Sequence, residues 1–164
     1  MDPVVRSMIA REGREKQRYS ASGARLVAGV VALNEDKTRV LVVTSTARKD
    51  RYVFPKGGYE TDEPTPQDAA LREAWEEAGV IGTITGGLGV IEDSRPAKTF
   101  QAAGGRVPPK AEYHFFEVAV SRLEDRFPEC DRRTRAWVTF AEATGGLIDR
   151  PELIEALKRS SIRR

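Results

Sequence analysis

Cysteine and histidine each occur once among the 164 residues. The lone thiol, Cys130, has no partner for an internal disulfide, which fits a reducing compartment. It stands in FPEC, away from any other Cys or His, and reads as structural rather than as a nucleophile. His114 sits in the middle of AEYHFFEV and reads as a strand residue, not a catalytic base. No apolar stretch approaches the roughly 20 residues that cross a bilayer, so no membrane partner is expected. The first twenty residues are polar and hold no apolar signal core. Neither GxxxxGK[ST] nor GxGxxG occurs, which excludes the P-loop and the dinucleotide fingerprint. Aromatics are only 7% of the chain, and Trp75, Trp137 and Phe140 read as core rather than as base-stacking platforms. Neither sign of charge dominates at a net +2, and no nucleic-acid reading motif is present.

The length suits one domain able to bury a core without staples. Residues 1–17 read as a flexible arm and 18–164 as the domain. LVAGVVAL (26–33) and RVLVVTST (39–46) read as strands joined by the turn NEDKT, a plausible hairpin. RYVFP gives a short strand before Lys56-Gly57-Gly58 breaks the chain. Residues 80–92, 111–120 and 135–140 read as further strands, and 150–160 as an amphipathic helix. Between them, 92–110 is a basic, Pro- and Gly-containing loop long enough to suggest a functional role. Strands on both sides of a helix predict a mixed α/β sandwich.

That helix carries the chemistry. Thr65 suits the N-cap, Pro66 the first helical position, and Gly79 the stop. In REAWEEAG (72–79), Glu73, Glu76 and Glu77 fall on one face, and Leu71, Ala74, Trp75 and Ala78 on the other. Like charges at this spacing repel, costing a few tenths of a kcal/mol per pair. The grouping suggests a seat for a hard cation. Mg²⁺ takes oxygen ligands from a few carboxylates, waters and substrate phosphates. Glu73 and Glu77, one turn apart, suit one ion or two adjacent ones, and Glu76 is placed to act on a water. Arg72, four residues before Glu76, is set to hold it, and a carbonyl of the Lys56-Gly57 turn is a further candidate ligand. Charge follows the same plan: residues 57–79 hold seven acids and one base, inside a remainder of net +8. An acidic patch in a basic surround suits a metal serving a polyanion.

The segment GGYETDEPTPQDAALREAWEEAGV resembles the Nudix box, G-x5-E-x7-R-E-U-x-E-E-x-G-U. Gly57, Glu63, Arg72, Glu73, Glu76, Glu77, Gly79 and Val80 match its fixed positions. Eight residues rather than seven separate Glu63 from Arg72, so Glu60 is a possible stand-in for Glu63. The stretches RYVFPKGGYETDEP, LGVIEDSRP, AEYHFFEV and RPELIEALKRS extend the similarity to fungal diphosphoinositol polyphosphate phosphohydrolases over roughly 18–160. The resemblance implies a Nudix fold, an α/β/α sandwich with a mixed sheet. It implies Mg²⁺-dependent hydrolysis of a phosphoanhydride, with Mn²⁺ as substitute. It makes Lys56 (through its carbonyl), Glu73, Glu77 and Glu76 the metal residues, with Glu76 the general base and Arg72 its catalytic partner.

An inositol pyrophosphate is a small ring crowded with phosphates, and many cations with few aromatics suit it. By resemblance, substrate contact falls to Arg18, Arg25, Ser45, Thr46, Arg48, Lys56, Gly57, Arg95, Lys98, Arg133 and Arg150. The expected activity removes the β-phosphate of diphosphoinositol polyphosphates and cleaves diadenosine penta- and hexaphosphates, with inorganic polyphosphate as a further substrate. A nucleotide-directed pyrophosphatase, acting on dinucleoside polyphosphates or caps, is the alternative and would need an aromatic clamp. A catalytically silent polyphosphate sensor is another, and would show a damaged REUxEE. A cytoplasmic monomer is expected, with the nucleus as a second location.

Overall fold

The computed structural model describes residues 6–96 and 109–164. The two aliphatic runs near the start form β1 (Arg25–Leu33) and β2 (Val40–Thr44). Then come β3 (Tyr52–Val53), β4 (Lys56–Gly58) and the helix α1 (Pro66–Ala78). Two long strands follow, β5 (Val80–Pro96) and β6 (Pro109–Leu123), then β7 (Arg135–Val138), α2 (Phe140–Gly146) and α3 (Pro151–Arg159). The strand order is β3-β2-β1-β6-β5, with β4 also paired to β1 and β7 to β2. β1 and β6 run parallel from Arg25↔Ala111 to Leu33↔Ala119. The other pairings are antiparallel, so the sheet is mixed. The α/β expectation holds.

β1 is buried without a break from Val27 to Leu33. A strand with no polar alternation needs cover on both faces. The α1 residues Ala69, Ala70, Ala74 and Ala78 join the core, and small side chains let the helix lie close to β1 and β4. Leu153, Ala156 and Leu157 do the same for α3, which packs against β5. Phe54 and Phe115 meet edge to face at 6.3 Å in the centre, an arrangement worth about 0.5–1.5 kcal/mol beyond its area.

The α1 punctuation works as expected. The Thr65 hydroxyl accepts from the Asp68 N–H, Pro66 opens the helix, and Gly79 closes it at φ +64°. A Cβ at Gly79 would lie 2.7 Å from both the Glu124 carbonyl and the Phe127 ring, so conformation and space both require glycine.

Four expectations change. Lys56-Gly57-Gly58 does not merely break the chain: it pairs with Val27–Gly29 as β4. The predicted strand 135–140 ends at Val138, because Thr139 and Glu142 form a capping box that opens α2 at Phe140. Trp75 does not join the core. It is half-buried, and its indole N–H donates to the Ser7 carbonyl at 2.8 Å. Finally, the described part of the arm, residues 6–17, lies against the box, and Gln17 is buried and bridged to Glu60. Gln17 is held there because its amide donates to the Arg18 and Leu26 carbonyls, at 2.8 and 2.7 Å.

Candidate active site

α1 turns its three glutamates toward β4 and the loops, not toward bulk water. Glu73, Glu76 and Glu77 are 7, 4 and 6% exposed. Burial is possible because each finds a donor. Arg72 forks onto Glu63, Nε to Oε2 at 2.8 Å and Nη2 to Oε1 at 3.0 Å. Its Nη1 reaches Glu73 at 2.9 Å and Glu76 at 3.3 Å, and Nη2 also donates to the Gly58 carbonyl at 2.8 Å. The Lys56 backbone N–H donates to Glu77 at 3.2 Å, and Arg133 lies 3.3 Å from the same carboxylate. Gly57 makes the approach possible: a Cβ there would fall 2.2 Å from the Glu73 carboxylate.

The electrostatics are those of a crowded row of acids. Burial, and then the neighbouring Glu73, push Glu76 up to about 7. Burial, and then Glu77, hold Glu73 well above the usual carboxylate range. Glu77 is raised by burial even though Arg133 and Lys56 pull it down. Burial opposes the charge on Arg72, yet Glu63, Glu73 and Glu76 outweigh it and hold its pKa above the ordinary value.

No three Asp, Glu, His or Cys side chains among the described residues converge into a closed metal cage. The donor set nevertheless fits Mg²⁺, which keeps several waters and takes only one or two carboxylates plus substrate phosphates. Glu73 and Glu77 lie close enough to hydrogen-bond to each other when one is protonated, and a cation would relieve that repulsion.

A cleft of about 780 Å³ opens over this row. Among the described residues, eight basic and five acidic side chains line it. Its walls come from β1 and β4, from the loop after β2, from the start of β6, and from Arg133 and Arg150. Lys56 is pushed down to about 8, first by burial and then by repulsion from Arg150, with Arg133 and Arg25 adding to it. Arg25 is lowered by burial and then by Arg14. These cations crowd one another at a cost to the protein alone. Among the described residues, Tyr113 is the one aromatic lining the cleft; it is buried, and the Lys56 ammonium stands over its ring at 6.0 Å.

Residues 23–159 match the NUDIX domain family. The chain belongs to the Nudix family. Nudix hydrolase 4 of Arabidopsis thaliana is 37% identical over 148 residues, which cover 85% of this chain and 67% of that protein. Nudix hydrolase 21, chloroplastic, of the same plant is 35% identical over 144 residues, covering 85% and 68%. Among solved structures, a NUDIX hydrolase from Nitrosomonas europaea superposes with a TM-score of 0.64 at 17% identity, over 83% of this chain and 87% of that one. The E. coli dihydroneopterin triphosphate pyrophosphohydrolase gives 0.63 at 18%, over 85% and 95%. At such identities the structural likeness shows the fold alone.

Within the Nudix box, the extra residue between Glu63 and Arg72 does not displace Glu63. Glu63 accepts both the Arg72 fork and the Glu60 N–H. Glu60, the possible stand-in, pairs with Arg11 instead. Of the residues expected to touch substrate, Arg25, Ser45, Thr46, Lys56, Gly57, Arg133 and Arg150 line the cleft. Arg18 does not. Its guanidinium is committed to the carbonyls of Glu60, Thr61 and Glu63 and lies 4.5 Å over the Tyr59 ring, so it braces the box turn. Arg48 is exposed beside Asp50 and is not among the described residues that line the cleft. Lys98 and the side chain of Arg95 lie outside the described residues. Arg133 and Arg150 have local duties as well: Arg133 pairs with Glu129, and Arg150 pairs with Glu152 and donates to the Tyr113 hydroxyl.

Arg11, Arg14, Gln17, Lys110, Tyr113 and Glu129 also line the cleft without having been expected there. Lys110 carried a signal as a base at a strand end, and Tyr113 as an alternating strand position. Arg11, Arg14 and Gln17 carried none, because nothing local in REGREKQ distinguishes a docked segment from a solvated one.

Proposed function

We propose that this Nudix hydrolase cleaves the phosphoanhydride of densely phosphorylated small molecules, removing the β-phosphate of diphosphoinositol polyphosphates. Diadenosine penta- and hexaphosphates, and inorganic polyphosphate, fall within the same reading. The observation that carries it is the cluster of mutually repelling cations beside the buried glutamates. Arg14, Arg25 and Lys56 crowd one wall, and a compact polyanion would turn their repulsion into attraction. A nucleoside would want an exposed aromatic face. Among the described residues the cleft offers only Tyr113, which is buried beneath Lys56.

In this reading Glu73, Glu77 and the Lys56 carbonyl would hold Mg²⁺. When bound, Mg²⁺ neutralises phosphate charge and makes a water acidic enough for a carboxylate to deprotonate. Glu76 accepts a proton from the attacking water as the water oxygen forms its bond to phosphorus and the bridging P–O bond breaks. Arg72 keeps the base oriented while bracing Glu63 and the Gly58 carbonyl at the end of β4. Arg25, Lys56 and Arg150 hold the remaining phosphates, and their charge stabilises the anion that forms. The cytoplasmic or nuclear location belongs to the same proposal. Some relatives are named for chloroplast or mitochondrion, and fractionation of the native protein distinguishes these sites.

Arg25 is the cleanest probe, because its Nε donates to Gln17 Oε1 at 2.8 Å and, among the described residues, it forms no ion pair with the glutamates. Arg25→Ala should lower turnover of a diphosphoinositol pentakisphosphate by about tenfold, the scale of one charge-assisted hydrogen bond. Mg²⁺ affinity and the hydrolysis of a small pyrophosphate substrate should stay close to wild type. Equal losses on both substrates would remove Arg25 from phosphate recognition.

A further inference from the structure

Residues 7–17 cross the Nudix box as a strap, pinned at three places. At one end Trp75 donates to the Ser7 carbonyl at 2.8 Å. At the other, Gln17 is buried and bridged to Glu60. Between them the Arg11 guanidinium pairs with Glu60 and Asp62, each at 2.7 Å. This clamp brings the Arg11 backbone N–H onto Glu76 Oε2 at 3.3 Å. The other oxygen of Glu76, Oε1, faces Arg72 at 3.3 Å. Each oxygen of the carboxylate therefore has one donor, from two separate elements.

A glutamate side chain has three rotatable bonds, and one long contact to one oxygen leaves its carboxylate plane free to turn. A second donor on the other oxygen fixes that plane. A backbone amide is suited to the task, because it orients the carboxylate without bringing a second full positive charge to a group that must accept a proton. The guanidinium, paired to carboxylates outside the glutamate row, supplies the anchorage.

We propose that Arg11 is a positioning residue for hydrolysis: its ion pairs hold the strap so that its own amide orients Glu76. The proposal rests on the reading of Glu76 as the base. It predicts an effect that passes through Glu76 and not through stability or substrate affinity.

The test uses the full chain and Mg²⁺-dependent hydrolysis of diadenosine hexaphosphate, or of diphosphoinositol pentakisphosphate should the wild type not cleave the dinucleotide. Glu76→Gln alone tests the base, with a loss of several orders of magnitude expected and near-wild-type turnover overturning that reading. Arg11→Ala should lower kcat by about tenfold with KM changed by less than about twofold, the signature of an interaction realised in the transition state. Arg11→Lys, which keeps one ion pair, should recover part of the loss. Adding Arg11→Ala to Glu76→Gln should cost nothing further, because the group being oriented is gone. Wild-type kcat in Arg11→Ala, with Glu76→Gln inactive, overturns the strap's role and leaves the base reading standing. The same factor lost in both backgrounds also overturns it, since Arg11 would then act independently of Glu76. If Arg11→Ala fails to fold, Trp75→Phe releases the other anchor and is read in the same way.

Discussion

Glu76 and Glu73 show how much of this site depends on single atoms. Both are buried, both are raised above the usual carboxylate range, and both depend on Arg72. Gly57 is the least conspicuous member of the set, yet the Glu73 carboxylate occupies the space a Cβ would fill. That neighbour is the end of a flexible side chain, so it would yield rather than unfold the protein. Gly57→Ala should therefore cost little stability, within about 1 kcal/mol, while shifting Glu73 and lowering Mg²⁺-dependent turnover by tenfold or more. Melting curves and steady-state rates on the same preparation check this, and unchanged rates would show that Glu73 has room to spare. At this scale the box residues were legible in the chain, because helix periodicity alone puts Glu73, Glu76 and Glu77 together. That Arg18 braces the box turn was not legible, because a basic residue near a turn carries no mark of whether it faces phosphate or backbone carbonyls.

Among the elements, α1 was legible end to end, since Thr65, Pro66 and Gly79 are local signals that agree with the apolar pattern between them. Gly79→Ala should destabilise the protein by about 1–3 kcal/mol, from the left-handed backbone and the clash with Glu124 and Phe127. The folded fraction should keep its specific activity, because Gly79 is no part of the cleft lining. Loss of activity in fully folded protein would mean that the end of α1 also sets the glutamate row. β4 and α2 were harder to read. A Lys-Gly-Gly strand has no β propensity and exists because β1 offers it a partner. The capping box at Thr139 was readable, but RAWVT before it favoured continuing the strand. The strap depends on contacts some 50 to 70 residues away in sequence, from Trp75, Glu60 and Asp62, and no window of the chain contains them.

In the molecule as a whole, a raised acidic row faces a lowered basic cluster, and this has a consequence for pH. Glu76, pushed up to about 7, and Glu73 and Glu77, also raised, hold their protons more tightly folded than unfolded. Without metal, the site's contribution to stability is best at acidic pH, below the ordinary carboxylate range. It declines as pH rises through about 7, where the buried groups must ionise. Mg²⁺ favours the ionised forms, so it should raise Tm more at pH 8 than at pH 5. Melts in EDTA and in Mg²⁺ at both values check this, and an equal shift at the two would place the metal elsewhere. The Nudix fold and its box were thus open to reading from the chain, whereas the cation cluster forms only when β1, β4, β6 and the segments before α3 come together. We propose that this cluster exists to hold a crowded polyphosphate. The most direct measurement sets kcat/KM for a diphosphoinositol pentakisphosphate beside those for diadenosine hexaphosphate, inorganic polyphosphate and a simple nucleoside triphosphate, all with Mg²⁺. The densely phosphorylated substrates should run well ahead of the nucleoside triphosphate, with the inositol pyrophosphate first. A clear preference for the nucleoside triphosphate would contradict it.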